Sequence, residues 1–304
     1  MHTLKVRDDV ADAVAAGRPV VALESTIIAH GLPRPDNLRV AREVEALVAR
    51  HGAVAATIGV LDGIAVVGLT DAELVRLAGG DDVVKLSVRD VAIAVAQGLT
   101  GATTVASTAA LAARAGIRVF ATGGLGGVHR EARESWDESA DLGTLAQCPM
   151  TVVCAGVKSI LDVPATLERL ESLSVPVLGY GTRAFPGFYL TDSGYPLDWS
   201  VQSPTEIADV MAARRDLGFD ERALIVANPL PVEDQISKEL HDRVLVAGLA
   251  QLEAAGIHGK GVTPYLLEYF HRETRGASLA ANITIIRRNA QLAAQIAVAW
   301  SACG

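Results

Sequence analysis

Short runs of Val, Ala, Leu and Ile recur along the 304-residue chain, and longer stretches of helical periodicity separate them. The runs are PVVALES (19–25), AVAATIGV (53–60), VVKLS (83–87), TTVAS (103–107), RVFATGG (118–124), TVVCAG (151–156), VPVLGYG (175–181) and ALIVANP (223–229). Strands that are apolar nearly throughout have no face to give to water, so they must be covered on both sides. Joined by helical segments, here 36–51, 89–98, 107–115, 160–172 and 204–217, they predict a parallel sheet between layers of helix. GIAVVGLT (63–70) predicts a small antiparallel hairpin at the sheet edge. From about residue 234 the pattern is helical, at 234–255, 263–274 and 279–301, which predicts a C-terminal helical layer on the sheet or on a neighbouring subunit. No Ser/Pro-rich linker, repeat or low-complexity tract divides the chain, so residues 1–304 are read as one α/β domain.

Hydrophobic residues make up 50% of the chain and aromatics only 4%, so the core must be aliphatic, which suits a helix-covered sheet. A net charge of −8 argues against a membrane surface or polymeric nucleic acid as partner, but allows a small anion in a local basic pocket. Cys148, Cys154 and Cys303 have neither CxxC nor metal spacing and read as small hydrophobes in a reducing compartment. The N-terminus, MHTLKVRDDVADAV, is charged and helical in flavour, without an apolar signal region. No apolar run approaches the roughly 20 residues of a membrane span, and a cytoplasmic protein is expected.

In open parallel sheets, ligands bind outside the carboxyl ends of the strands. The polar residues there are Glu24-Ser25-Thr26, Lys85-Ser87, Thr104 with Ser107-Thr108, Thr122-Gly123-Gly124, Lys158-Ser159, Thr182-Arg183 and Asn228. Two of them are lysines in a chain that otherwise favours arginine: of 27 cationic residues, only Lys5, Lys85, Lys158, Lys238 and Lys260 are lysine. Arginine holds a permanent charge, whereas a desolvated lysine can lose its proton and attack an electrophile. A core lysine with a snorkelling head explains either residue alone, but explains two less well.

Other motifs admit more than one reading. ATGGLGGVHR (121–130) fits neither GxGxxG nor a P-loop; it reads as a turn whose N–H groups could approach an anion, or as plain loop glycines. SWDESADLG (135–143) reads as an acidic helix start or as a hard-cation site, with Asp137 and Asp141 sharing a helical face. Glu24, near Ser25, Thr26 and His30, is either a hydrogen-bonded strand-end carboxylate or a general acid of raised pKa. Asp36 reads as a helix N-cap.

The runs ALESTIIAHGLPRPDN, KLSVRD, GATTVASTAALAARAGIRVFATGGLGGVHR, DESADL, VVCAGVKSILD, GYGTRAFPGFY and GASLAANITIIRRNAQLAAQIA together resemble the pseudouridine-5′-phosphate glycosidase family, historically called indigoidine-synthase-A-like. The resemblance spans about residues 5 to 300, in order. It implies a three-layer α/β/α sandwich, a homotrimer and one Mn²⁺ per subunit. The implied activity is reversible cleavage of the C–C glycosidic bond of pseudouridine 5′-phosphate to uracil and ribose 5-phosphate. By motif it implies Glu24 as proton donor, Lys158 as covalent lysine and Asp137 as metal ligand. It further implies Lys85, Val105, Ser139, Ala140 and Asp141 as substrate-binding, with Thr122, His129 and Asn282 near phosphate, sugar and base.

The chemistry agrees. A C–C glycoside has no heteroatom lone pair at the scissile bond, so paired carboxylates alone do not suffice. A neutral lysine supplies the missing electron sink as an iminium. Two rivals share these residues: an aldolase-type Schiff-base enzyme acting on a sugar phosphate without a nucleobase, and a catalytically silent sugar-phosphate-binding trimer. The second would be marked by loss of Glu24 or Lys158, and both are present.

Overall fold

Within each central strand, alternate side chains enter different cores. Val20 and Ala22, Phe120, Val152 and Cys154, and Ile225 and Ala227 pack into one cluster. Val21 and Leu23, Val119 and Ala121, Val153, and Leu224 and Val226 pack into another. Period-2 alternation with both faces apolar produces this, and it makes the sheet the middle of three layers. The computed structural model describes residues 3–257 and 259–303.

The elements run β1 (Leu4–Val6), α1 (Asp8–Ala15), β2 (Val20–Leu23), a π-helical turn (Ile27–Gly31), α2 (Asp36–Arg50), β3 (Val54–Leu61), β4 (Ile64–Val67), α3 (Asp71–Gly79), β5 (Val84–Leu86), α4 (Val88–Ala96), β6 (Gly101–Thr103) and α5 (Val105–Arg114). Then follow β7 (Val119–Ala121), α6 (Ala132–Ser135), α7 (Ala140–Leu145), β8 (Thr151–Cys154), α8 (Val163–Ser172), β9 (Val177–Tyr180), β10 (Ser200–Val201), α9 (Pro204–Asp216), β11 (Leu224–Ala227), α10 (Lys238–Ala254), α11 (Val262–Glu273) and α12 (Ala277–Ser301).

The strands β3-β2-β7-β8-β11-β9-β10 lie side by side, all parallel. β3 serves two sheets. Its first half, Val54–Thr57, pairs with β2, and its second half turns to antiparallel pairing with β4 and β6. β5 extends β6, and β1 extends β4, each in parallel. From β2 the chain moves to β3 on one side and later returns as β7 on the other. That reversal opens a crevice beyond the ends of β2 and β7, where such sheets bind ligands.

One helical layer holds α2, α9 and much of α12, whose Val40, Ile207 and Ile286 share a cluster. The other holds α1, α5, α7, α8, α10 and α11, through Val10, Ala109, Leu145, Leu170, Val244 and Leu266. The C-terminal helices are therefore divided between both faces instead of forming one layer. The reason is that α12 (Ala277–Ser301) carries Ile286, Ala290 and Ala294 into the opposite core from α11.

Three further expectations need correction. The TTVAS segment is not a strand: β6 stops at Thr103, and Val105 opens α5 because the Asp141 carboxylate accepts from the Ala106 N–H. The hairpin β3–β4 exists, but β1 takes the outer edge, so strand pairing precedes the N-terminal helix. Asp36 is the first residue of α2 and not its cap; it pairs with Arg39 at 2.6 Å. Among the described residues no helix is long and apolar enough to cross a membrane.

Candidate active site

A cavity of about 280 Å³ opens over the reversal in strand order. Glu24 follows β2, Lys85 lies within β5, Thr104 and Val105 join β6 to α5, Gly123 and Gly124 follow β7, and Lys158 follows β8. All of these line it, as do His129, Asp137, Ser139, Ala140, Asp141 and Asn282. Five strand ends from distant parts of the chain thus converge on one space.

Glu24 is largely buried beneath this cavity, which it lines. Burial raises its pKa, outweighing the opposing charge of Lys158, the hydrogen bond from Thr122 and the charge of Lys85. The Thr122 hydroxyl donates to Oε1 of Glu24. Thr122 itself is fully buried behind Glu24 and does not line the cavity, so it reaches the site through that carboxyl. Behind it, Asn289 Nδ2 donates to the carbonyls of Thr122 (2.7 Å) and Gly123 (3.3 Å). Asn289 Oδ1 accepts from Asn228 at 3.0 Å. This chain of buried amides ties α12 and β11 to the loop under Glu24.

Lys158 is placed by two loops locked together. Val157 bridges to Leu125 of the glycine-rich segment, and the Lys158 N–H donates to the Leu125 carbonyl at 3.1 Å. The turn that delivers it needs a glycine. Gly156 has φ +76°, and a Cβ there would lie 2.0 Å from the Pro186 carbonyl oxygen. Among the described residues none forms an ion pair with the Lys158 amine within 4 Å, although its charge reaches Glu24, His129 and the Cys154 thiol. Cys154, just before it, is pushed up to about 12 by burial and is an inert core thiol.

Asp141 is 5% exposed and accepts from two backbone N–H groups, Ala106 (3.0 Å) and Gly126 (2.8 Å). A Cβ on Gly126 would fall 2.7 Å from that carboxylate and 2.2 Å from Ser139 Oγ. The glycine loop therefore does meet an anion, but the anion is the chain's own Asp141. The Gly126 donor is occupied and not open to a phosphate. Asp137 and Asp141 do not share a helical face, because Asp137 precedes α7 and Asp141 lies within it.

Asp137 is 37% exposed, and its Oδ2 lies 3.8 Å from His129 Nδ1. Burial lowers the His129 pKa, Asp137 pulls it up, and Lys158 and Lys85 push it down. Among the described residues no three His, Cys, Asp or Glu side chains gather into a cage. One solvent-reaching carboxylate fits a hard cation that retains most of its water.

Several residues expected at the rim lie elsewhere. Ser25 accepts from the Thr103 N–H (2.9 Å), Ser107 donates to the Leu86 carbonyl (2.7 Å), and Thr108 donates to Thr103 (2.8 Å), all in the buried interior. Asn228 serves Asn289, while Ser159, Thr182 and Arg183 do not line the cavity. The structure adds Arg89, Phe188, and Thr263, Pro264 and Leu267 from α11. Those last three come from a segment whose apolar periodicity announces a helix and nothing more.

The family model for indigoidine synthase A like proteins matches residues 9–299. The chain belongs to this family. Among similar proteins, one from Salinispora tropica named pseudouridine-5′-phosphate glycosidase is 66% identical over 97% of this chain and 91% of its own length. One of the same name from Streptomyces griseus is 62% identical over 96% of this chain and 90% of its own. Among solved structures, the prealnumycin C-glycosynthase AlnA in complex with ribulose 5-phosphate superposes with a TM-score of 0.91 at 36% identity, covering 100% of this chain and 98% of that one. An indigoidine synthase A-like protein from Thermotoga maritima gives 0.88 at 35% identity, covering 98% and 96%. The family's three-layer α/β/α architecture with a mostly parallel sheet is the one seen here.

Proposed function

We propose that this protein is a pseudouridine-5′-phosphate glycosidase, an enzyme that reversibly cleaves the C–C glycosidic bond of pseudouridine 5′-phosphate to give uracil and ribose 5-phosphate. The observation that carries the reading is the pairing across one cavity of a carboxyl of raised pKa, Glu24, with an amine that lacks an ion-pair partner among the described residues, Lys158. The names of relatives more than 60% identical support it.

Glu24 gives its proton to the ribose ring oxygen as the C1′–O bond breaks, and the Lys158 nitrogen forms a bond to C1′. The nitrogen lone pair then closes to an iminium as the C–C bond to uracil breaks, and the uracil carbon takes up a proton. Water adds to the imine and releases ribose 5-phosphate, which returns Lys158 as the free amine. Arginine could not do this, since it stays charged and is not nucleophilic. Lys85 holds the phosphate as a point charge, and the buried Oδ1 of Asn282, unpartnered among the described residues, offers an acceptor to a uracil N–H. Ser139, Ala140 and Val105 complete the wall with backbone and small side chains.

Asp137, beside His129, would hold the Mn²⁺, which when bound contributes positive charge and ordered water at the pocket wall. We also infer a homotrimer working in the cytoplasm; exposed Val84, Val88 and Ile93 on β5 and α4 offer apolar surface for subunit packing.

Incubation with pseudouridine 5′-phosphate and Mn²⁺ tests the reading, with uracil release as the expected result. Aldol cleavage of a sugar phosphate without uracil release would favour the aldolase-type alternative.

A further inference from the structure

We propose that His30 is a substrate-binding residue whose Nε2 accepts a hydrogen bond from a hydroxyl of the sugar phosphate. This rests on the glycosidase reading for the identity of the sugar. His30 closes the π-helical turn (Ile27–Gly31) behind Glu24 and lines the same cavity as Thr26 and Lys85. Its Nε2 is buried and, among the described residues, has no hydrogen-bond partner. The Val84 backbone lies beside the ring and favours a proton on it, while the Val84 N–H is committed to the Thr100 carbonyl at 3.1 Å. With that N–H taken, the group of Val84 that favours a ring proton is its carbonyl, and Nδ1 is the nitrogen placed to hold that proton, since Nε2 has no partner among the described residues.

This arrangement favours the Nδ1–H tautomer. With the proton on Nδ1, Nε2 carries a lone pair and can only accept. Burial and the neighbouring charge of Lys85 both oppose a second proton. A buried acceptor left unsatisfied is unfavourable, so its partner is expected to come from whatever fills the cavity. Phosphate oxygens at neutral pH also only accept and cannot satisfy it. Val84 and Lys85 are consecutive on β5, so the ring lies beside the strand that presents the lysine assigned to the phosphate. The donors next to a sugar phosphate's charged end are its hydroxyls, and the uracil N–H groups lie beyond C1′.

Calorimetric binding of ribose 5-phosphate, 2-deoxyribose 5-phosphate and 3-deoxyribose 5-phosphate to the Mn²⁺-loaded wild type, His30→Phe and His30→Gln tests this. His30→Phe should bind ribose 5-phosphate about tenfold or more weakly. His30→Gln, which can bring an amide oxygen near the Nε2 position, should recover most of the loss. One deoxy sugar should bind the wild type weakly and lose nothing further on His30→Phe. If His30→Phe does not fold, His30→Ala replaces it in the same comparison. Equal affinity of the wild type and His30→Phe, equal loss of both deoxy sugars on each protein, or no binding of ribose 5-phosphate by the wild type would overturn the assignment. Uracil release, followed in parallel, separates the two readings. Hydroxyl dependence without uracil release would keep His30 and remove the glycosidase reading.

Discussion

The hydroxyl of Thr122 donates to Oε1 of Glu24, which leaves Oε2 as the oxygen able to carry a proton into the cavity. Burial holds the acid form above the ordinary carboxylate range. As pH rises through that raised pKa the proton donor is lost, so kcat/KM should fall on the alkaline side. Thr122→Val removes a hydrogen bond that favours the carboxylate, and the descending limb should move to higher pH. Glu24→Gln should lower kcat by about 10²–10⁴-fold. A limb that stays in place in Thr122→Val would contradict the coupling. Stability follows the same sign: the native state holds this proton more tightly, so Glu24's contribution declines as pH climbs above the usual carboxylate value.

Lys158→Arg keeps the charge and removes the nucleophile. Turnover should drop by several orders of magnitude with little change in thermal midpoint. Borohydride reduction during turnover should add a sugar-phosphate mass to the wild type and none to the variant. Labelling of Lys158→Arg at the wild-type level would move the covalent role to another residue.

Asn289→Ala leaves the Thr122 and Gly123 carbonyls and the Asn228 amide without their partner. A loss of about 2–4 kcal/mol is expected, measured by denaturant unfolding. Combined with Asn228→Ala, the loss should be clearly less than additive, because both act on one network.

Asp137→Asn should raise the Mn²⁺ concentration for half-maximal activity by about tenfold or more. Metal titration of activity reads this directly. A titration curve identical to the wild type would remove Asp137 from the metal site.

Gly156→Ala places a methyl group against the Pro186 carbonyl at a positive φ. The expected cost is about 3 kcal/mol or more, with loss of activity in any folded fraction because the turn carries Lys158. Wild-type stability would mean that the turn can relax without moving the lysine.

Apolar runs and helical spacing were enough to anticipate the parallel sheet, its two helical faces and most element boundaries, because those signals are local and periodic. Strand ends named Glu24, Lys85 and Lys158 for the same reason: a charged group that closes an apolar run has few places to go. Long-range partners decided the rest. TTVAS reads as a strand until Asp141, 35 residues away, accepts from the Ala106 N–H and starts a helix there. Thr122 reads as a ligand residue until its hydroxyl is found on Glu24, 98 residues away. The glycine loop reads as a turn able to approach an anion, and only the fold shows that the anion at the Gly126 donor is Asp141. Periodicity pointed to the strand-end residues Glu24, Lys85 and Lys158, and the family resemblance supplied the rest of the candidate site. Only the tertiary structure decided which polar groups were already paired and which, like the buried Nε2 of the cavity-lining His30, had no partner among the described residues, since pairing is set by three-dimensional neighbours that sequence spacing does not encode.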